Sequence, residues 1–198
     1  MNTKTSRPTL VLASTSPYRQ ALLKRLGYPF VTAAPKVDEQ PLAGESPVAL
    51  VQRLAEAKAR AVAAAYPQAL IIGSDQVACL GDAVLGKPGS REQAIAQLTQ
   101  ASGKKVELIT GLCLYQAASD QARVIYESFR VYFRSLSVEK IAAYVEREQP
   151  LDCAGSFKSE GLGIALFQRF EGNDPNALIG LPLIRLIDLL TEAGLDVL

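Results

Sequence analysis

Short apolar runs alternate with amphipathic stretches along this chain, and that alternation constrains the fold more than any other feature. Residues 9–13 (TLVLA) and 70–74 (LIIGS) are apolar runs of strand length. Two Ser-Pro dipeptides, at 16–17 and 46–47, each place an N-capping serine before a proline at the first helical position. Strands that alternate with helices indicate an α/β fold, a mixed twisted sheet flanked by helices.

The same signals predict the remaining elements. We expect helices over 17–26, 47–66, 90–101, 138–148 and 181–193, and further strands over 29–34, 106–116 and 122–134. The last two strands pair around a polar turn, and we expect this hairpin to form a smaller second lobe with a cleft between it and the N-terminal part. Residues 1–198 then form a single domain of two lobes.

The composition excludes several classes of chemistry. The chain has no histidine, so acid–base chemistry must come from carboxylates, lysine, tyrosine or cysteine. Its net charge of +1 gives no reason to expect nucleic acid or a membrane as a partner. The three distant cysteines argue against a zinc site or a disulfide framework. The apolar run near the N terminus is too short for a signal peptide, so a cytoplasmic location is expected.

The stretch LASTSPYRQALLKRLG, residues 12–27, combines a strand end, a hydroxyl-rich turn and a helix N terminus. Backbone N–H groups at a helix start lack partners and carry the positive end of the helix dipole, so this turn can bind phosphate. Ser14 and Ser16 add hydroxyl donors, and the planar guanidinium of Arg19 suits phosphate oxygens. A plain N-cap followed by a surface arginine is the alternative.

Lys58 falls inside the apolar stripe of the helix that begins at Pro47. A buried ammonium group is costly unless an anion accompanies it. Lys58 therefore either meets a carboxylate or a ligand phosphate, or packs its stem while the ammonium group reaches water.

Asp75 follows the apolar run LIIGS, and in parallel sheets ligands collect beyond the carboxyl ends of strands. In a chain without histidine, Asp75 is the leading candidate for a water-activating base or metal ligand; a turn-capping aspartate is the alternative. Glu39, in the loop KVDEQP, could supply the second carboxylate for Mg²⁺ or Mn²⁺, or could be a solvated loop residue.

The segment GDAVLGK, residues 81–87, matches the spacing of a phosphate-binding P-loop up to its lysine. Pro88 follows where a P-loop has serine or threonine, and a helix cannot run through Lys-Pro-Gly. We therefore reject the P-loop and predict a turn that presents Lys87.

Taken together, these residues resemble a known family. The resemblance to the Maf-like nucleotide pyrophosphatases covers most of the chain, and its motifs occur in the family's order: LASTSPYRQALLKRL, KVDEQP, RLAEAKA, GSDQV, GKP, TGL and CAGSFKSEG. It implies hydrolysis of a nucleoside triphosphate to a monophosphate and pyrophosphate with a divalent metal.

The resemblance also implies roles for individual residues. Ser14, Ser16 and Arg19 match the family's phosphate-binding turn. Glu39, Lys58 and Lys87 match its acidic and basic site positions, and Asp75 matches its proposed proton acceptor.

Three positions, Tyr18, Gln76 and Glu160, differ from the family branch that prefers dTTP and UTP and resemble the branch that acts on 7-methyl-GTP. Glu160 could accept hydrogen bonds from guanine N1–H and the 2-amino group, and Tyr18 could stack on the cationic base.

The expected function is therefore pyrophosphatase activity on 7-methyl-GTP, a small-molecule substrate. Two alternatives stay open: a pyrophosphatase for other non-standard nucleotides, and a regulator that binds nucleotide without catalysis. The sequence leaves the oligomeric state open, with a homodimer among the alternatives.

Overall fold

A computed structural model describes residues 8–198 of the protein. Its seven strands form one open mixed sheet, and five α-helices and several short 3₁₀ turns cover it. The strands are β1 (Leu10–Ala13), β2 (Phe30–Ala33), β3 (Leu70–Leu80), β4 (Ala83–Leu85), β5 (Lys105–Gln116), β6 (Gln121–Phe133) and β7 (Phe167–Glu171). The helices are α1 (Pro17–Lys24), α2 (Pro47–Val62), α3 (Arg91–Ala101), α4 (Val138–Glu148) and α5 (Leu183–Glu192).

The predicted α/β class is confirmed, and every helix and strand expected from the sequence is present. Ser16, Ser46, Ser90 and Ser137 each cap a helix with the side-chain oxygen, which explains why the helix starts were predictable. The prediction missed β4, which is only three residues long, and β7, where four of five residues are exposed. β4 is too short to be recognised as an apolar run, and the middle of β7 is polar.

The sheet runs in the order β2-β1-β3-β5-β6-β7, and β4 pairs with the end of β3. β1 is parallel to β2 and to residues 70–72 of β3, while β5 is antiparallel to β3 along nearly its whole length. β4 occupies the same edge of β3 as β1 but pairs only with residues 78–80. Within the part of the chain that the structure describes, residues 73–77 have no strand partner on that edge. This gap is the floor of the cleft described below.

The expected second lobe is not confirmed. β5 pairs with β3 through ten consecutive residues and with β6 through twelve, so the hairpin continues the same sheet. The strands are long enough to contribute to several cores at once. One end of the hairpin packs under α3 and α4 with a cluster of five interacting aromatic pairs, and the other end lies among the helices of the N-terminal half.

Helix α2 lies unusually close to the sheet, because two glycines face it. A Cβ atom added to Gly73 would lie 2.0 Å from the carbonyl oxygen of Ala55, and one added to Gly111 would lie 2.1 Å from that of Val51. The backbone of α2 therefore rests directly on β3 and β5 with no side chain between them at these two points. Because the helix and the sheet are so close, Lys58 can reach a carboxylate on β3.

Helices α1 and α5 cover the opposite face of the sheet with a leucine-rich core. In residues 8–198, no helix combines the length and the apolar character that crossing a membrane requires. Cys79 and Cys113 are buried, and burial raises the pKa of both thiols.

Candidate active site

A cleft of about 610 Å³ opens where β1 ends and β3 continues without a neighbour on that edge. Its walls come from the turn after β1, the loop before α2, the β4 hairpin and the segments around residues 152–160 and 178–179. All ten residues singled out from the sequence line this one cleft: Ser14, Ser16, Tyr18, Arg19, Glu39, Lys58, Asp75, Gln76, Lys87 and Glu160.

The turn after β1 presents hydroxyl and guanidinium groups to one end of the cleft. Ser14 Oγ accepts from the backbone N–H of Ser16 at 3.1 Å, and Ser16 Oγ accepts from that of Arg19 at 3.4 Å, so both hydroxyl hydrogens remain free to donate. Arg19 Nε donates to the carbonyl oxygen of Gly180 at 2.8 Å, which orients the guanidinium and leaves its two terminal nitrogens for a ligand. Burial lowers the pKa of Arg19, against the opposing attraction of nearby carboxylates, yet an arginine in a protein stays charged.

Lys58 joins two carboxylates at the centre of the cleft. Its Nζ lies 2.6 Å from Asp75 Oδ1 and 2.8 Å from Glu39 Oε1. Lys58 is 5% exposed and Asp75 is 8% exposed, whereas the Glu39 side chain is more than half exposed. Of the two alternatives for this lysine, the structure shows the one with a carboxylate partner.

Glu39 is held in its charged form by the cations around it. Partial burial raises the pKa of its carboxyl group. The hydrogen bond and charge of Lys58, and then the charges of Lys87 and Arg19, lower that pKa by more than burial raises it. The net result is a pKa below the usual value for glutamate. The loop that carries Glu39 is tied to α2, since Arg53 donates both to Glu45 and to the carbonyl oxygen of Gln40.

The sequence suggested that Asp75 follows the end of a strand, but this residue lies in the middle of β3, paired with Gly111 of β5. The predicted strand stops before Asp75, yet pairing with β5 continues it through Asp75 and Gln76 as far as Cys79. The position of Asp75 still favours a ligand site, because the parallel pairing of β1 with β3 ends at Ile72 and leaves Asp75 just beyond it. A turn-capping role for Asp75 is excluded by its place inside the strand.

Lys87 lies just beyond β4, exposed on the rim of the cleft. The rejection of a P-loop is confirmed, since residues 81 and 82 form the turn of the β3–β4 hairpin and α3 begins only at Arg91. Lys87 is nevertheless close enough to Glu39 to help to lower the pKa of that carboxyl group.

Tyr18 borders an acidic part of the cleft formed by Asp152 and Glu160. Tyr18 is partly buried, and its pKa is raised first by burial and then by Cys153 and the carboxylates of Asp152 and Glu160. Asp152 and Phe157 also line the cleft and were not predicted from the sequence. Asp152 stands in an irregular loop with no periodic pattern around it, so nothing in the sequence distinguished it from a surface acid.

Gln76 faces the opposite side of β3 from Asp75. Its Nε2 donates to Thr110 Oγ1 at 2.9 Å and to the carbonyl oxygen of Ala177 at 2.6 Å. Thr110 is buried and was missed at the level of individual residues, although it belongs to the TGL motif. Ser74 Oγ and Arg19 Nε both donate to the carbonyl oxygen of Gly180, so the same loop, residues 174–180, is fastened to the sheet and to α1.

The carboxylates in the cleft could contribute ligands to a divalent cation but could not form a complete site. Among the described residues, no three acidic, cysteine or histidine side chains come together as a metal site would require. Asp75 and Glu39 share Lys58 and so lie close to each other. Mg²⁺ commonly binds through one or two carboxylates with water and substrate phosphates completing its shell, and this pair fits that arrangement.

The fold and the cleft define a class: an α/β protein with one cleft that brings together cations, hydroxyl groups, a buried acid, a tyrosine and further carboxylates. The chain belongs to the Maf-like family, since the family model described as "Maf-like protein" matches residues 9–193.

The relatives that match are similar along nearly their whole length. The 7-methyl-GTP pyrophosphatase of Nitrosococcus oceani is 59% identical over 191 residues, 96% of each chain. The proteins of the same name from Vibrio cholerae and Pseudomonas aeruginosa are 56% and 55% identical, each over 96% of this chain and over 97% and 99% of their own length. Among solved structures, the Staphylococcus aureus Ham1 protein has a TM-score of 0.47 and 16% identity, over 64% of this chain and 72% of that one.

Proposed function

We propose that this protein hydrolyses 7-methyl-GTP to 7-methyl-GMP and pyrophosphate. The observation that carries the proposal is the single cleft that contains all ten residues selected from the sequence. Relatives at 55–59% identity that are named 7-methyl-GTP pyrophosphatase support the choice of substrate.

The cleft offers the phosphate chain and the base different surroundings. Arg19, Lys58 and Lys87 supply three cations, and Ser14 and Ser16 supply hydroxyl donors, for the phosphate oxygens. A 7-methylated guanine carries a positive charge, which an aromatic ring and carboxylates favour over a neutral base. Tyr18 and Glu160 line the cleft and lie near each other, so they suit such a base.

In the proposed mechanism, Asp75 orients the attacking water and accepts its proton. The water oxygen bonds to the α-phosphorus as the bond between that phosphorus and the α–β bridging oxygen breaks. The bridging oxygen leaves as part of pyrophosphate. Lys58 and Arg19 stabilise the charge that develops on the phosphate oxygens. Asp75 and Glu39 would hold Mg²⁺ or Mn²⁺, which, when bound, would polarise the phosphate and offset its charge.

The proposal extends to the setting of the reaction. A cytoplasmic location follows from the substrate, because nucleoside triphosphates are made and used there. Light scattering coupled to gel filtration distinguishes a homodimer from a monomer.

The test is pyrophosphate release from a panel of nucleoside triphosphates that includes 7-methyl-GTP, GTP, dTTP, UTP, ITP and XTP, with and without Mg²⁺. We expect 7-methyl-GTP to give the highest kcat/KM, and a preference for ITP or XTP would contradict the choice of substrate. Asp75→Asn should lose about 10²–10⁴-fold in kcat, the contribution of a positioned base, while its circular dichroism stays unchanged. Nucleotide binding without release of pyrophosphate by the wild type would instead indicate a non-catalytic regulator.

A further inference from the structure

Thr110 has a hydrogen-bonding role that the proposed mechanism does not use. It lies in the middle of β5 with no solvent exposure. Its hydroxyl donates to the carbonyl oxygen of Ala177 at 2.9 Å and accepts from Gln76 Nε2 at 2.9 Å. A hydroxyl has one hydrogen, so with that hydrogen on Ala177 the oxygen can only accept from Gln76.

These contacts determine which way the Gln76 amide faces. Besides Thr110, its Nε2 lies 2.6 Å from the carbonyl oxygen of Ala177 and 3.4 Å from that of Leu178. All three neighbours are acceptors, so they require the NH₂ group. A flipped amide would place its own oxygen against two carbonyl oxygens, and Thr110 could donate to that oxygen only by giving up its bond to Ala177.

The amide oxygen of Gln76 is therefore the atom left for a ligand. Within residues 8–198 it has no hydrogen-bond partner, yet Gln76 lines the cleft. Gln76 Oε1 lies close to Gly180: a Cβ atom added to that glycine would be 3.7 Å from Gln76 Oε1 and 3.4 Å from Arg19 Nε. The amide oxygen and the Arg19 guanidinium therefore both flank Gly180.

We infer that Thr110 is a positioning residue that, together with the carbonyl oxygens of Ala177 and Leu178, holds the Gln76 amide with its oxygen towards the cleft, where it accepts a hydrogen bond from an N–H or O–H donor of the bound nucleotide. This inference rests on the proposed function. An amide oxygen has no hydrogen to give and so repels phosphate oxygens, which are acceptors as well. The donor must belong to the nucleoside part of the substrate, either a sugar hydroxyl or the base.

The experiment compares three variants. Thr110→Val keeps the shape of the side chain and removes the hydroxyl, and Thr110→Ser keeps the hydroxyl. Thr99→Val is the matched control, because that exposed threonine bonds only to Ile95 of its own helix, α3. Each protein is assayed for kcat/KM with 7-methyl-GTP and with four analogues that lack one donor each: the 2′-hydroxyl, the 3′-hydroxyl, N1–H or the 2-amino group.

We expect Thr110→Val to lose about tenfold in kcat/KM on 7-methyl-GTP, the worth of one hydrogen bond. Thr110→Ser and Thr99→Val should stay within about twofold of the wild type. On the one analogue that lacks the matching donor, wild type and Thr110→Val should be equal, and that analogue identifies the source of the donor. Unchanged kcat/KM in Thr110→Val, an equal loss in Thr110→Ser, or a uniform loss on 7-methyl-GTP and all four analogues would overturn the inference.

Failure of the proposed function can be distinguished from failure of this inference. If the wild type binds 7-methyl-GTP but releases no pyrophosphate, the proposed function is wrong, and the same comparison is made on calorimetric Kd values. Equal Kd values for Thr110→Val and Thr110→Ser would then overturn the role of Thr110. If the wild type binds no nucleotide at all, both proposals are overturned.

Discussion

Replacing Lys58 with methionine tests how the centre of the cleft is held together. Methionine keeps most of the aliphatic stem that packs in α2 and removes the charge. In the described part of the chain, Lys58 is the only cation within 4 Å of Asp75, so the substitution leaves a carboxylate that is 8% exposed without an ionic partner. The second partner, Glu39, is exposed and should be affected little.

The expected size of the effect follows from this burial. Removing one member of a buried ion pair costs about 3–5 kcal/mol, because the remaining charge stays desolvated. For a protein of 198 residues, that corresponds to a decrease in Tm on the order of 10 °C. Lys140→Met is the matched control, since Lys140 is an exposed lysine of α4, and it should change the unfolding free energy by less than about 0.5 kcal/mol.

The assay is urea unfolding followed by circular dichroism, with Asp75→Asn and the double variant Lys58→Met/Asp75→Asn completing a double-mutant cycle. We expect the double variant to recover much of the stability lost in Lys58→Met, because a neutral amide replaces the unpaired carboxylate. If Lys58→Met unfolds at the same urea concentration as the wild type, or if the cycle gives no coupling between the two residues, the view of Lys58 as the counter-ion of Asp75 is wrong.

Two further predictions concern the support of the site. Gly73→Ala places a methyl group 2.0 Å from a carbonyl oxygen of α2, so we expect calorimetry to show a loss of at least about 1–3 kcal/mol together with reduced turnover. Gly86→Ala meets nothing within 4 Å and should keep the Tm of the wild type. The hydrogen bond from Arg53 lowers the pKa of Glu45 from 4.5 to about 2, so this pair stabilises the fold above pH 4.5 and its contribution is lost as the pH falls towards 2. Glu45→Gln should therefore flatten that part of the curve of unfolding free energy against pH, and an unchanged curve would contradict it.

Most of the elements were predictable because they are encoded locally. Serine caps, proline at the first helical turn and apolar periodicity all act over a few residues, and they located all five helices. The extension of β3 past Ser74 was not predictable, because Asp75 and Gln76 interrupt the apolar pattern and only the pairing with β5 continues the strand through them. The single sheet was missed for the same reason: a hairpin reveals its own turn but not the strand that pairs with its outer edge.

The candidate site followed partly from physical anomalies and partly from resemblance. Lys58 is conspicuous because a charge interrupts an apolar stripe, and the structure gives it two carboxylate partners. Tyr18 and Glu160 could be selected only by resemblance, since an aromatic beside a helix start and a loop acid are ordinary features. Asp152 and Thr110 reach the cleft or its support through distant pairing and loop geometry, which no local pattern reports.

The continuity of the sheet limits how this protein can close around a ligand. Enzymes made of two bodies often clamp a substrate by swinging one body about a hinge, and a hinge needs a few residues free of sheet pairing between the bodies. Here β3, β5 and β6 run unbroken from one side of the cleft to the other. Rotation of one side of the cleft relative to the other would break backbone hydrogen bonds between these strands. Any closure therefore falls to the loops on the rim, with the overall radius of gyration nearly the same before and after binding.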